Sequence, residues 1–338
     1  MTVVPHRSLA LVLSLVLAAP ALAQDVTLRL GTVVSENAPE AAAFQTFADR
    51  VGELTDGAVE VQMFWNSQLG GGPEMLQNVI AGAQDFQGGA IDFLSAAAPR
   101  IGVMTMPLVF RDRDHFASFV ASPLFDEILD ELEAVGITFP ARDSLDDPEV
   151  VKNWIRPYDR GIVSNRPIET PADLDGFKLR MFESEVPIRT WEALGANIQV
   201  IPWGDVYTSL ATGVVDGLTG TVADNVEFKH FEQAKYFTNI GEYYQLNQIW
   251  MSNVTRMTLD PAHLDAIDTA MVEASEAYAE ATAAGAVSAL ETAESEYGVT
   301  MIDPDIAPWI EKAGEAHAAF EADGMVEAGL IERIQALD

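Results

Sequence analysis

The stretch 167–217 holds the residues best suited to grip an anion. A turn of Pro, Asp and Gly leads into a short apolar strand expected over 177–181, and that strand carries Arg180. A guanidinium near a strand end lies where open α/β sheets place their ligand crevices. Its planar fork of donors matches the two oxygens of a carboxylate, and Trp203 offers a flat apolar wall nearby. A helix expected over 205–212 has Asp205 positioned to cap it, and 214–217 reads as another short strand. Composition alone also allows a structural salt bridge for Arg180 and a core position for Trp203.

Other chemistries find little support in the chain. With no Cys, it has no thiol nucleophile, CxxC motif or thiolate metal site. The histidines beyond the N-terminus, His115, His230, His263 and His317, are widely spaced and form no HExxH pattern. Gly70, Gly71 and Gly72 precede a helix-like segment without the Lys-Ser/Thr that a phosphate loop requires, and no GxSxG elbow occurs. Carboxylate pairs carry no information where 52 residues are acidic. These features favour binding over catalysis, with no cofactor and no metal expected.

The elements that must position Arg180 follow from patterning. Residues 1–23 read as a secretory signal peptide: a basic start at His6 and Arg7, an apolar run over 9–19, and a small-x-small site at 21–23. The remaining chain is long enough for two domains and has no other run able to cross a bilayer. The net charge of −33 over the full sequence disfavours nucleic acid and anionic lipid and suits a solvated acidic surface. Any anionic ligand therefore needs a local cation, which makes the few arginines informative.

Strands are expected at 26–31, 59–64, 84–90, 137–139, 160–166, 177–181, 236–240, 243–251 and 299–302. Helices are expected at 40–55, 74–81, 116–134, 225–235 and 260–297, with a C-terminal pair from 307. Residues 143–149 form an acidic connector that reads as a surface insertion. The aromatic and amide-rich strand over 243–251, with Tyr244 and Asn247, suits a crevice lining. The alternation argues for two α/β domains with helices over mostly parallel sheets and an acidic helical coat at the C-terminus. The expected division is 24–157 plus 246–285 for the first domain and 158–245 plus 286–338 for the second.

Several motifs, in this order, resemble the solute-binding proteins of tripartite ATP-independent periplasmic (TRAP) transporters, the DctP family. They are 66–71 (NSQLGG), Pro107 with Leu108, 164–168 (SNRPI), 170–180 (TPADLDGFKLR), 194–196 (LGA), 202–207 (PWGDVY) and 212–217 (TGVVDG). The resemblance implies a monomeric periplasmic-binding-protein fold whose two domains, joined by a long hinge-spanning helix, close over a small organic acid. It implies delivery to small and large TRAP membrane subunits. Under it, Arg180 pairs with the ligand carboxylate, Arg160 supports it, Trp203 lines the ligand and Asn247 is an amide on the hinge strand. Ala90, Gly220 and Glu183 replace residues that sialic-acid-binding members carry, which argues against that ligand; Glu183 is left as a candidate for a ligand hydroxyl or ammonium. The segment 218–221 lacks the Glu-Trp pair of metal-dependent members. Alternatives are a sensor presenting its closed form to a receptor, an ABC-type binding protein, or a periplasmic enzyme.

Overall fold

A computed structural model describes residues 26–157 and 160–337. The expected signal peptide lies outside the described residues. The strands are β1 (Val26–Thr32), β2 (Val59–Phe64), β3 (Phe86–Ala90), β4 (Ile137–Thr138), β5 (Arg160–Ser164), β6 (Lys178–Met181), β7 (Asn197–Val200), β8 (Gly217–Thr221), β9 (Tyr236–Asn239), β10 (Asn247–Ser252) and β11 (Thr300–Ile302). They form two sheets, ordered β2-β1-β3-β10-β4 in lobe I and β11-β9-β5-β8-β6-β7 in lobe II.

Both sheets are mostly parallel, as expected, with one strand in each running against the rest. β5 runs antiparallel to β8 and β9, and β10 runs antiparallel to β3 and β4. The physical reason is the crossing: each of these strands has just entered from the other lobe, so it starts at the cleft where its neighbours end. The crossing segments lie side by side, bridged at Ile155 and Leu246.

Corrections follow from local chemistry. The helix expected over 116–134 is two, Arg113–Val120 and Pro123–Ala134, because the Ser122 hydroxyl and Pro123 start a new one. The acidic connector is no insertion: it folds into a 3-10 turn and the helix Pro148–Trp154, burying Leu145, Val151 and Trp154. The helix expected over 225–235 is Val222–Glu227 followed by a turn at His230–Glu232, with Lys229 between them at φ 58. Asp205 occupies a cap position but its side chain makes no capping bond. The closing strand begins only at Gly217, and β10 begins at Asn247, so 243–246 is not strand.

The lobes have separate apolar cores. Phe44, Phe47, Phe86 and Trp250 anchor lobe I, and Phe177, Leu179, Met181 and Trp191 anchor part of lobe II. The 35-residue helix Pro261–Ser295, capped by Asp260, packs Met271 and Tyr278 into lobe I and Ala293 into lobe II. Arg156, just before the crossing, pairs with Glu40 of lobe I at 3.1 Å and Asp224 of lobe II at 2.9 Å. The C-terminus departs from the expected division and from the expected coat. Trp309 packs against Trp191 in lobe II, but Phe320, Leu330, Ile331 and Ile334 return to the lobe I core.

Candidate functional site: a buried guanidinium between two lobes

Alternation along β6 decides where Arg180 points. Leu179 and Met181 enter the apolar core, so Arg180 takes the opposite face, between Gln199 of β7 and Leu218 of β8 in register. The residue is only 6 % exposed. Its Nε donates to the Ile201 carbonyl at 2.8 Å, and the guanidinium carbon lies 5.2 Å from the centre of the Trp203 ring. No carboxylate pairs with it among the described residues. Burial, and then repulsion from Arg160, lower its pKa to about 10. It remains a cation at neutral pH, held out of water without a counter-ion, which is an unfavourable state.

Arg160 is placed differently. At the cleft end of β5, opposite Thr221, its Nε donates to Glu242 Oε2 at 3.2 Å, and its guanidinium lies 4.4 Å from the Tyr243 ring centre. Glu242 is fully buried and also accepts from Trp191 Nε1 at 2.7 Å. Burial pushes the Glu242 carboxyl up, while Arg160, Trp191 and Thr219 oppose that shift. The charge of Arg160 is therefore answered within its own lobe, and that of Arg180 is not.

Gly220 lies where a side chain would not fit: an added Cβ would approach Asn225 Nδ2 to 2.7 Å. Asn225 donates to the Thr221 carbonyl at 2.6 Å, so its Oδ1 is the acceptor for His230 Nδ1 at 2.8 Å. This fixes the tautomer, with the His230 proton on Nδ1. Burial, then Arg180, lower the His230 pKa to about 4. Its ring meets Trp203 edge to face at 5.0 Å, so the floor beneath Trp203 is a neutral imidazole.

Lobe I adds polar groups at the start of β10, one of which, Asp92, feels the charge of Arg160. Asn247 opens β10 directly opposite Ala90 of β3; it is 1 % exposed and its Nδ2 has no partner among the described residues. Beside them Asp92 accepts from Gln245 Nε2 at 2.9 Å. Burial raises the Asp92 carboxyl, with Gln245 and Arg160 acting against the rise.

The structure links Arg180 to Trp203 and Arg160 on lobe II, with Gly220 on the neighbouring strand, and pairs Asn247 with Ala90 on lobe I. Glu183 is exposed, and the Tyr244 ring lies 5.9 Å from that of Phe116 in lobe I, tilted against it. Sequence reasoning missed Glu242, Tyr243, Asp92 and His230. The available signal was an acid at 242 enclosed by apolar and aromatic residues, unlike the many surface acids.

Two α/β lobes, crossing strands between them and an unanswered buried cation at their junction define a bilobed solute-binding protein. The family model described as bacterial extracellular solute-binding protein, family 7 (DctP), matches residues 30–323, and the chain belongs to that family. It is 30 % identical over 237 residues to the C4-dicarboxylate-binding periplasmic protein DctP of Rhodobacter capsulatus, covering 67 % of this chain and 65 % of that one. The chain spans 48–65 % of the length of several curated relatives it matches.

Among solved structures, a TRAP periplasmic solute-binding protein from Citrobacter koseri with bound D-glucuronate superposes with a TM-score of 0.79 at 24 % identity, covering 92 % of this chain and 99 % of that one. One from Sulfurospirillum deleyianum with bound succinate gives 0.79 at 26 %, covering 93 % and 99 %. The resemblance drawn from the motifs holds: the chain belongs to a family of solute-binding proteins.

Proposed function

We propose that this protein captures a small organic acid in the periplasm, between its two lobes, and delivers it to the membrane subunits of a TRAP-type transporter. The observation that carries this reading is Arg180: buried, charged and without a carboxylate among the described residues. A ligand carboxylate supplies the missing counter-ion through a two-point, charge-assisted pair. Trp203 lies against the same guanidinium and forms the flat side of the pocket, Arg160 supports it through Glu242, and Asn247 adds an amide from the hinge strand. Ala90 keeps space for the solute, while Gly220 lets Asn225 pack against β8.

Closure around the acid removes both charges from water together, where their attraction is stronger than at an exposed surface. Without the acid, closure isolates a lone cation, so the empty protein favours separated lobes and the ligand shifts the balance. Bound D-glucuronate and succinate in relatives of the same fold support a carboxylate as the common denominator.

The test is a thermal-shift screen of ligand-stripped protein across organic acids, followed by mass spectrometry of the released solute. An acid at about 100 times its Kd should add about 2.7 kcal/mol and raise Tm by several degrees. The solute should be recovered unchanged. No shift with any acid, or a chemically altered product, would overturn the reading.

A further inference from the structure

Arg156 stands where the two lobes meet and holds a carboxylate from each. Its backbone N–H donates to the Gln245 carbonyl at 3.0 Å, which ties it to the second crossing segment. Glu40 occupies the cap position of the helix Ala41–Leu54, which follows β1, and Asp224 lies in the first turn of the helix that follows β8. The chain crosses between lobes at these strand ends: Asn247 faces Ala90 at the end of β3, parallel to β1, and Arg160 faces Thr221 at the end of β8. Both acids therefore belong to the faces that the lobes turn towards each other.

The contact is largely closed to water. The side chain of Arg156 is 13 % exposed and that of Glu40 only 7 %. Arg156 Nη1 donates to both oxygens of Asp224, at 3.1 and 2.9 Å, and Nη2 lies 3.1 Å from Glu40 Oε1. Burial opposes the charge on Arg156, but Asp224 and Glu40 outweigh it and keep the guanidinium protonated. Glu227, a second acid of lobe II, feels the same cluster: burial, then Asp224 and Glu40, push its carboxyl up, and Arg156 opposes the rise. One guanidinium thus answers Glu40 on lobe I and both Asp224 and Glu227 on lobe II.

Because Arg156 is anchored on the crossing, rotation of the lobes about it changes the separation of Glu40 from Asp224. Both ends of the bridge are made together only near the lobe arrangement seen here, and a charge-assisted pair needs its short geometry. We propose that Arg156 is an inter-lobe latch, which ties Glu40 to Asp224 and favours closure whether or not a solute is bound, against the repulsion between Glu40 and the two acids of lobe II. The latch is separate from the Arg180 reading, and it partly offsets the cost of enclosing an empty cleft.

The separation of the lobes in ligand-stripped protein tests it. The chain has no Cys, so spin labels at Gln77→Cys in lobe I and Thr208→Cys in lobe II, both exposed sites, report that separation by double electron–electron resonance. The labelled protein should show a minor population at the separation of this structure beside a larger, more open one. Arg156→Met should cut the closed-to-open ratio at least about tenfold, because it leaves like charges facing each other across the junction. Glu227→Gln should raise that ratio at least about threefold by removing one of those charges, a gain that misfolding cannot produce.

Absence of the closed population, or failure of either substitution to move it in the stated direction, overturns the latch. Neither result bears on Arg180, whose role is read from acid binding alone.

Discussion

Replacing Arg180 should move stability and function in opposite directions. Burial, chiefly, holds its guanidinium at a pKa of about 10, well below the ordinary arginine range. That difference corresponds to about 3 kcal/mol by which the charged form disfavours folding at neutral pH, taken as an upper bound. Arg180→Met keeps the bulk and removes the charge, so the ligand-free variant should be more stable by about 1–3 kcal/mol in urea unfolding. The same change leaves a ligand carboxylate buried without its partner and should cost about 4 kcal/mol of binding, roughly a thousandfold in Kd by calorimetry. Arg180→Lys keeps the charge but loses the fork and should cost about 2 kcal/mol. A destabilised Arg180→Met protein would mean that the side chain serves the fold. Unchanged affinity in Arg180→Lys would refute the two-point geometry.

Two further perturbations probe the floor of the cleft. Gly220→Ala drives a methyl to within 2.7 Å of Asn225 Nδ2, so the Asn225–His230 pair must shift, at a cost of about 1–3 kcal/mol in stability and a loss of ligand affinity. An equally stable variant with intact affinity would show that the floor yields. His230 gives a pH signature: its folded pKa of about 4 lies below the ordinary 6.5, so its contribution is fully present above pH 6.5 and is lost as pH falls towards 4. Wild type should therefore lose up to about 3 kcal/mol relative to His230→Gln over that window. Parallel pH profiles of the two proteins would contradict the buried neutral imidazole.

Most elements were legible because their local rules agree. Val59–Phe64 alternates, Pro73 opens its helix, and Asp260 caps the long one, so pattern and propensity point the same way. Arg180 was found because an arginine in a four-residue strand flanked by buried Leu179 and Met181 has only one free face. What escaped depends on the crossings. The antiparallel direction of β5 and β10 is set by which lobe the chain arrives from, which no local pattern encodes. Tyr243, not Tyr244, meets Arg160 because 243–246 is not strand and the two-residue period fails there. Glu242 was hidden among 52 acidic residues; only packing shows that it is fully buried.

A net charge of −33 gives the proposed capture of an anion an unusual kinetic consequence. At low ionic strength the whole molecule repels its cargo, and the Arg180 cation is too deep to be felt beyond roughly a 10 Å screening distance. Added salt damps the long-range repulsion while barely touching the dry contact inside. Solute capture should therefore run faster in brine than in dilute buffer, whereas release should hardly change.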